Sequence, residues 1–186
     1  NKLQSSAEEL YAIHENLLLW ATHQRNLLEY APEQIDLGDI IAYNLVRFSP
    51  SAEKKKITFS NSIQEQMLVH ADYNMIDTVI RNLLSNALKF TEREGQVRMT
   101  AIEVEDTVEI SISDTGVGIP KEKAAALFEV ELAASQGKAT KEERSGLGLL
   151  LCKHLIERNG GTIWCTSAIG AGTTFTFRLP KTSKNA

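Results

Sequence analysis

Residues 73–91 read Tyr-Asn-Met-Ile-Asp-Thr-Val-Ile-Arg-Asn-Leu-Leu-Ser-Asn-Ala-Leu-Lys-Phe-Thr and follow Asp72. Ile76, Val79, Ile80, Leu83, Leu84 and Ala87 recur at spacings of three and four, so the stretch is expected to be a helix with one buried face. Asp72 is the residue type that caps such a helix. At about 100° per residue, Asn82, Asn86 and Lys89 fall together beside the apolar stripe. Two neutral amides one turn apart at a core boundary are costly unless they find hydrogen-bond partners. Two readings stay open. Both amides bond nearby backbone, as buried polar groups normally do. Alternatively, an Asn oxygen offers a hard ligand to Mg²⁺, with Lys89 complementing phosphate charge.

Downstream, Val97, Met99 and Ala101, then Val108, Ile110 and Ile112, alternate as in half-buried antiparallel strands joined around Glu105-Asp106. The second strand runs into Asp114-Thr115-Gly116-Val117-Gly118-Ile119-Pro120. A carboxylate there can accept from an exocyclic amine, and the glycines permit a tight turn close to a flat ligand. The alternative is an ordinary Asp-Gly turn. It is not a dinucleotide fingerprint, because Lys121 stands where a third glycine is needed. Pro120 suits the first turn of a short helix ending near Phe128. Residues 130–145 show no period and read as a long loop, a candidate lid. Gly146-Leu147-Gly148 opens a helix to about Asn159, ended by Gly160-Gly161. Exposed N–H groups at a helix start form an anion site, although a glycine pair used only for packing reads the same way. No Walker-type loop is present. Strands at 162–167 and 172–179 close the domain.

Upstream, Asp36 is expected to cap a helix over about 37–54, with Leu37, Ile40, Ile41, Leu45 and Phe48 inward and Pro50 kinking it or ending it early. Segments 56–63 and 66–71 suggest short strands. Residues 7–30 carry a stripe of Leu10, Ile13, Leu17, Trp20 or Ala21, Gln24 and Leu28, with Pro32 just past its end. Such a helix needs a partner, most simply another chain or a missing preceding helix. Strands in adjacent pairs with helices between them predict an α/β fold, a two-layer sandwich of one mixed sheet and one helix layer behind an N-terminal helical arm. The expected division is an arm at 1–34, a domain at 35–182 and a polar tail at 183–186.

Composition sets the outer bounds. The 186 residues are 42% hydrophobic and 24% charged with net charge -4, which excludes a disordered or collagen-like chain. No apolar run approaches the roughly 20 residues of a membrane span, so no membrane contact is expected here. Net acidity argues against nucleic acid as a partner. Two cysteines, Cys152 and Cys165, form neither a disulfide framework nor a metal motif, which fits a reduced compartment. An opening Asn1 rather than Met suggests an excised piece. His14 is followed by Glu15 but lies on the flank of the arm stripe and reads as a solvated helix residue. His23, His70 and His154 have no ligand spacing. Lys54-Lys55-Lys56 reads as a solvated helix end.

Taken in order, Asn82-Leu-Leu-Ser-Asn86-Ala-Leu-Lys89-Phe90-Thr91, Asp114-Thr-Gly116-Val-Gly118-Ile-Pro120, Leu127-Phe128-Glu129 and Gly146-Leu147-Gly148-Leu149 resemble the N, first glycine, F and second glycine boxes of sensor histidine kinases. Gly160-Gly161, Ser167, Gly170, Gly172-Thr173 and Phe175 are similar to that family's end. The resemblance covers about 36–180 and implies the Bergerat ATP-binding fold of gyrase, heat-shock chaperone and mismatch-repair ATPases. More loosely, Glu15-Asn16-Leu17-Leu18-Leu19-Trp20, leading on to Ile35-Asp36-Leu37, resembles the second helix of the kinase dimerisation hairpin.

The resemblance implies Mg-ATP as cofactor, with Asn86 on the metal and Asp114 on the adenine amine. It places Asn82 and Lys89 near the phosphates, Gly116 and Gly118 under the nucleotide, and Gly146, Leu147 and Gly148 against the phosphates beneath the 130–145 lid. It implies transfer of the γ-phosphoryl group to a histidine on a dimerisation helix outside these residues, with little self-phosphorylation of this piece. A homodimer in the full-length protein, a response-regulator receiver domain as partner and a cytoplasmic location follow from the same likeness. The ATPase cousins place a water-activating glutamate four residues before the metal-binding Asn; here that place is Asn82, which is no general base. Transfer is therefore favoured over two alternatives: a GHKL-type ATPase, and a nucleotide-binding regulatory module without transfer. Two departures surround the lid: Arg144-Ser145 where one more glycine is usual, and Val130-Glu131 where Pro-Phe is frequent.

Overall fold

A computed structural model describes residues 30–63, 66–128 and 146–181. Apart from Tyr30, the arm helix over 7–30 with His14 and His23, the 130–145 lid with its two departures, Glu129 and the 183–186 tail lie outside the described residues.

The chain enters through β1 (Glu33–Asp36), passes straight into α1 (Leu37–Lys55), then β2 (Thr58–Asn61) and β3 (Leu68–Ala71). Next come α2 (Tyr73–Phe90), β4 (Gln96–Val104), β5 (Thr107–Asp114) and α3 (Lys121–Ala126). It finishes with α4 (Gly146–Arg158), β6 (Thr162–Ala168) and β7 (Gly172–Pro180). Five strands form one sheet in the order β2-β4-β5-β7-β6. Only β2–β4 is parallel, so the sheet is mixed as expected. One face carries Val97, Met99, Ala101, Val108, Ile110, Ile112, Phe175, Phe177 and Leu179, all buried. Against them pack the apolar stripes of α1, α2 and α4. The opposite face is paved with hydroxyls in register, Ser111 with Thr176 at 2.9 Å and Ser113 with Thr174 at 2.8 Å. Alternation along each strand sorts the two chemistries to the two faces.

α2 lies in the helix layer with Ile76, Val79, Ile80, Leu83 and Leu84 fully buried. Burying one such side chain contributes about 1.5–3 kcal/mol. Asp72 caps it, accepting from Met75 N at 3.0 Å. Asp36 caps α1 in the same way, accepting from Gly38 N at 2.8 Å.

Three expectations need correction. β1 lies where the sequence pattern shows no strand: it pairs antiparallel with β3 as a separate two-stranded ribbon. Four residues with one buried side chain, Ile35, offer too little alternation to announce a strand. Pro50 neither ends nor interrupts α1. A proline removes one donor to the carbonyl four residues back; that carbonyl is Val46 O, and Ser49 Oγ donates to it at 3.0 Å. Third, Lys54-Lys55-Lys56 is not simply a solvated end. Lys56 takes a left-handed conformation (φ 55°) as the cap of α1, and the Lys55 ammonium bonds to another helix.

Candidate nucleotide-binding site

Asp114 ends β5 in register with Thr173 of β7. It is 8% exposed, and its Oδ1 accepts from Gly116 N at 2.8 Å and from Thr173 N at 3.3 Å. Among the described residues nothing donates to Oδ2, so one oxygen fixes the group and the other remains an acceptor. Burial pushes the carboxyl above its ordinary value, while the two N–H bonds oppose the shift.

The turn after Asp114 is built against backbone. A Cβ on Gly116 would lie 2.4 Å from Phe90 O, and one on Gly118, whose φ is +72°, would lie 1.9 Å from Ala168 O. The close approach that these glycines permit is thus to protein carbonyls. Val117 N donates to Phe90 O at 3.4 Å, and Gly170 N to Val117 O at 2.8 Å. These bonds join the turn to the end of α2 on one side and to the β6–β7 turn on the other. Ser167 completes the seam: its Oγ accepts from Ile119 N, donates to Gly172 O, both at 2.8 Å, and lies 2.9 Å from Thr173 Oγ1. The sequence pattern does not mark Ser167 and Thr173 as supports of Asp114; the resemblance includes them without a role. Their signal is a strand register across about sixty residues, which local pattern does not carry.

Asn82, Asn86 and Lys89 share the face of α2 that flanks the core. Asn82 is half-buried and its Nδ2 donates to Thr78 O at 3.0 Å, so for this residue the backbone-bonding alternative holds in part. Asn86 differs: it is half-buried and its carboxamide bonds to no other described residue. Lys89 is exposed, with its ammonium 5.3 Å from the centre of the Phe90 ring. Beside them lies an open depression of about 580 Å³, lined by Lys55, Lys89, Phe90, Arg93 and Val117 among others. It borders the α2 end and the glycine turn but reaches neither Asn86 nor Asp114.

The start of α4 is placed by two contacts. Asn159, just past its end, accepts from Asp72 N at 2.7 Å at the start of α2, and Cys152 Sγ lies 4.0 Å from Val79 O at mid-length. α4 therefore runs antiparallel to α2. Both helices rise about 1.5 Å per residue, so the first turn, Gly146-Leu147-Gly148, comes level with Leu83–Ser85, next to Asn86. The N–H groups of that turn have no helical acceptors. Asp114, Gly116 and Gly118 thus gather at the end of α2, while Asn86 faces the level of a helix start. Cys152 is sealed in the core and its thiol is pushed up to about 12 by burial, which makes it inert.

A family model described as "Histidine kinase-, DNA gyrase B-, and HSP90-like ATPase" matches residues 71–183. The chain belongs to this family. The adaptive-response sensory kinase SasA of Prochlorococcus marinus subsp. pastoris is 34% identical over 177 residues, 93% of this chain and 46% of that protein. The catalytic domain of histidine kinase ThkA superposes with a TM-score of 0.70 at 29% identity, covering 83% of this chain and 97% of that one. ThkA in complex with the response regulator TrrA gives 0.74 at 25% identity, covering 100% and 51%. The chain spans about half the length of the SasA proteins that it matches. The recognition made from the four sequence motifs therefore stands for the family, for the fold and for a histidine kinase catalytic domain. Among the described residues, no helix is long and apolar enough to cross a membrane.

Proposed function

We propose that this domain binds Mg-ATP between α2, the Asp114–Pro120 turn and the start of α4, and presents its γ-phosphoryl group to a histidine on a dimerisation helix. The carrying observation is the state of two groups: Asp114, held by one oxygen with the other open among the described residues, and Asn86, half-buried near the level of a helix start with a carboxamide that bonds to no other described residue. Its oxygen can therefore meet a cation or the cation's water shell. Asp114 Oδ2 accepts from the adenine amine. Lys89 and the N–H groups of Gly146, Leu147 and Gly148 hold phosphate oxygens.

The residues fit Mg²⁺ as a nucleotide companion. Asn86 offers one neutral oxygen, and Mg²⁺ characteristically keeps waters and phosphate oxygens around few protein ligands. Among the described residues no group of three His, Cys, Asp or Glu side chains gathers as an alternative metal cage. When bound, the cation neutralises charge on the transferring group. Asn82, its Nδ2 committed to Thr78 O, lies where the ATPase cousins carry glutamate and supplies no base for water. That favours transfer over hydrolysis, with catalysis by positioning.

In this reading residues 1–34 form an arm and 35–182 the domain. The full-length protein is a cytoplasmic-facing homodimer that passes phosphate to the aspartate of a receiver domain. Calorimetric titration of Mg-ATP into wild type, Asn86→Ala and Asp114→Ala tests the site: both variants are expected to bind weakly, and wild-type affinity in both sinks it. A separate helix carrying the acceptor histidine is expected to gain phosphohistidine; binding without transfer would indicate a regulatory module instead.

A further inference from the structure

The last four carbonyls of an α-helix have no partner within it, and at the end of α2 each finds one beyond the helix. Ala87 O accepts from Thr91 N at 2.9 Å and Thr91 Oγ1 at 2.6 Å. Phe90 O accepts from Val117 N. Leu88 O and Lys89 O receive the Lys55 ammonium, at 2.6 and 3.1 Å, and the same nitrogen reaches Thr91 O at 3.0 Å. An ammonium has three protons and no acceptor capacity; Lys55 spends all three on carbonyls of one helix end. Its charge lies where the α2 dipole is negative.

This is a cap supplied by a different helix, and the surrounding loop holds it there. Glu94 N donates to Lys55 O at 3.0 Å, Arg93 to Lys54 O at 3.3 Å, and Lys56 pairs with Glu94 at 3.3 Å. The ends of α1 and α2 and residues 91–95 form one stitched unit. The carbonyl between the Lys55-bound ones, Phe90 O, is the one against which Gly116 and Val117 are built.

We infer that Lys55 is a positioning residue for the nucleotide site: by capping α2 it fixes Lys89 directly and, through Phe90 O, the turn that follows Asp114. This rests on the nucleotide-site reading given above. Lys55 itself touches no nucleotide in this account, because its protons are already committed.

The test uses the full chain as wild type, Lys55→Met, Lys55→Arg and the neighbouring control Lys54→Met. Affinities for Mg-ATP and for adenosine are measured by calorimetry, and the backbone amide resonances of Gly116 and Val117 by NMR without ligand. Losing charge-assisted bonds to a helix end is expected to weaken both ligands about tenfold in Lys55→Met. The two amides shift, while Lys54→Met stays at wild type. Lys55→Arg keeps the charge on a planar fork and is expected to recover most of the affinity and the amide positions.

A folded Lys55→Met that binds like wild type with unmoved amides overturns the inference. So does a loss confined to Mg-ATP, which would mean direct phosphate contact. If wild type binds neither ligand, the nucleotide reading fails, while the amides still decide whether Lys55 sets the turn. Should Lys55→Met not fold, wild type against Lys55→Arg carries the test: amides that stay fixed while affinity falls overturn it.

Discussion

The Asp114–Gly118 turn and the polar face of α2 lie side by side and are finished to different degrees. In the turn the N–H groups of Thr115, Gly116 and Val117 all have acceptors, and two glycines sit against carbonyls with no room for a methyl group. On α2, Asn86 has no bond to a described residue and Lys89 rests on a neighbouring ring. A base edge is rigid and flat, and a preorganised acceptor discriminates it best. Phosphates and their cation bring charge and water of their own, and groups left unmatched in the protein can be completed by them. On the proposed nucleotide reading, the contrast separates a recognition element that exists before binding from one that the ligand finishes.

Four substitutions press on that contrast. Gly172→Ala should do most damage: φ is +85° and the new methyl would lie 1.9 Å from Asp114 O. We expect a loss on the order of 3 kcal/mol or more, visible in urea denaturation. Asp114→Asn keeps an oxygen for Gly116 N and Thr173 N but removes the charge. Adenosine and Mg-ATP should both bind roughly 10- to 100-fold less tightly.

Stability of the same variant should move the other way. The folded state holds the Asp114 proton to higher pH than the unfolded chain, so this group's contribution falls as pH rises from its ordinary 3.8 through the raised folded value. Asp114→Asn should therefore be more stable than wild type at pH 7, with the difference fading below pH 4 or so; a variant less stable at neutral pH would contradict the burial argument.

Asn86→Ala should weaken Mg-ATP about tenfold, leave adenosine unchanged and keep stability within about 0.5 kcal/mol, since it breaks no bond among the described residues. Equal losses for both ligands would erase the division between the two regions. Gly170→Ala should be milder than Gly172→Ala. Its φ of +74° resembles that of Gly172, but nothing lies within 4 Å, so only the left-handed penalty of about 1–2 kcal/mol applies.

The elements that could be read from the chain are those with enough periods to show. α2 declares itself through six apolar positions and a capping Asp, and β4, β5 and β7 through clean alternation. β1 has one buried residue and is visible only through its pairing with β3. Pro50 misleads because its consequence depends on Ser49, whose hydroxyl replaces the missing donor. At the site, the residue types were legible: Asn82, Asn86, Lys89 and Asp114 stand out as polar groups against apolar patterns. Their supports were not, because Thr173 and Ser167 meet Asp114 and its turn through β7 register, and Lys55 meets α2 through helix packing. Chemistry that acts along one helix or turn is local; the scaffolding that aims it is assembled from distant segments.

The antiparallel seating of α4 on α2 has a mechanical consequence. α4 is a rod of about 20 Å. One end opens beside the proposed nucleotide site. The other ends at Asn159, which bonds to Asp72 N, while Asp72 Oδ2 accepts from Ala31 N at 3.0 Å and Arg158 lies over the Tyr30 ring. Tyr30 and Ala31 lead into β1. One carboxylate and one carboxamide thus fasten three segments at a single point: the cap of α2, the far end of α4 and the residues that enter β1.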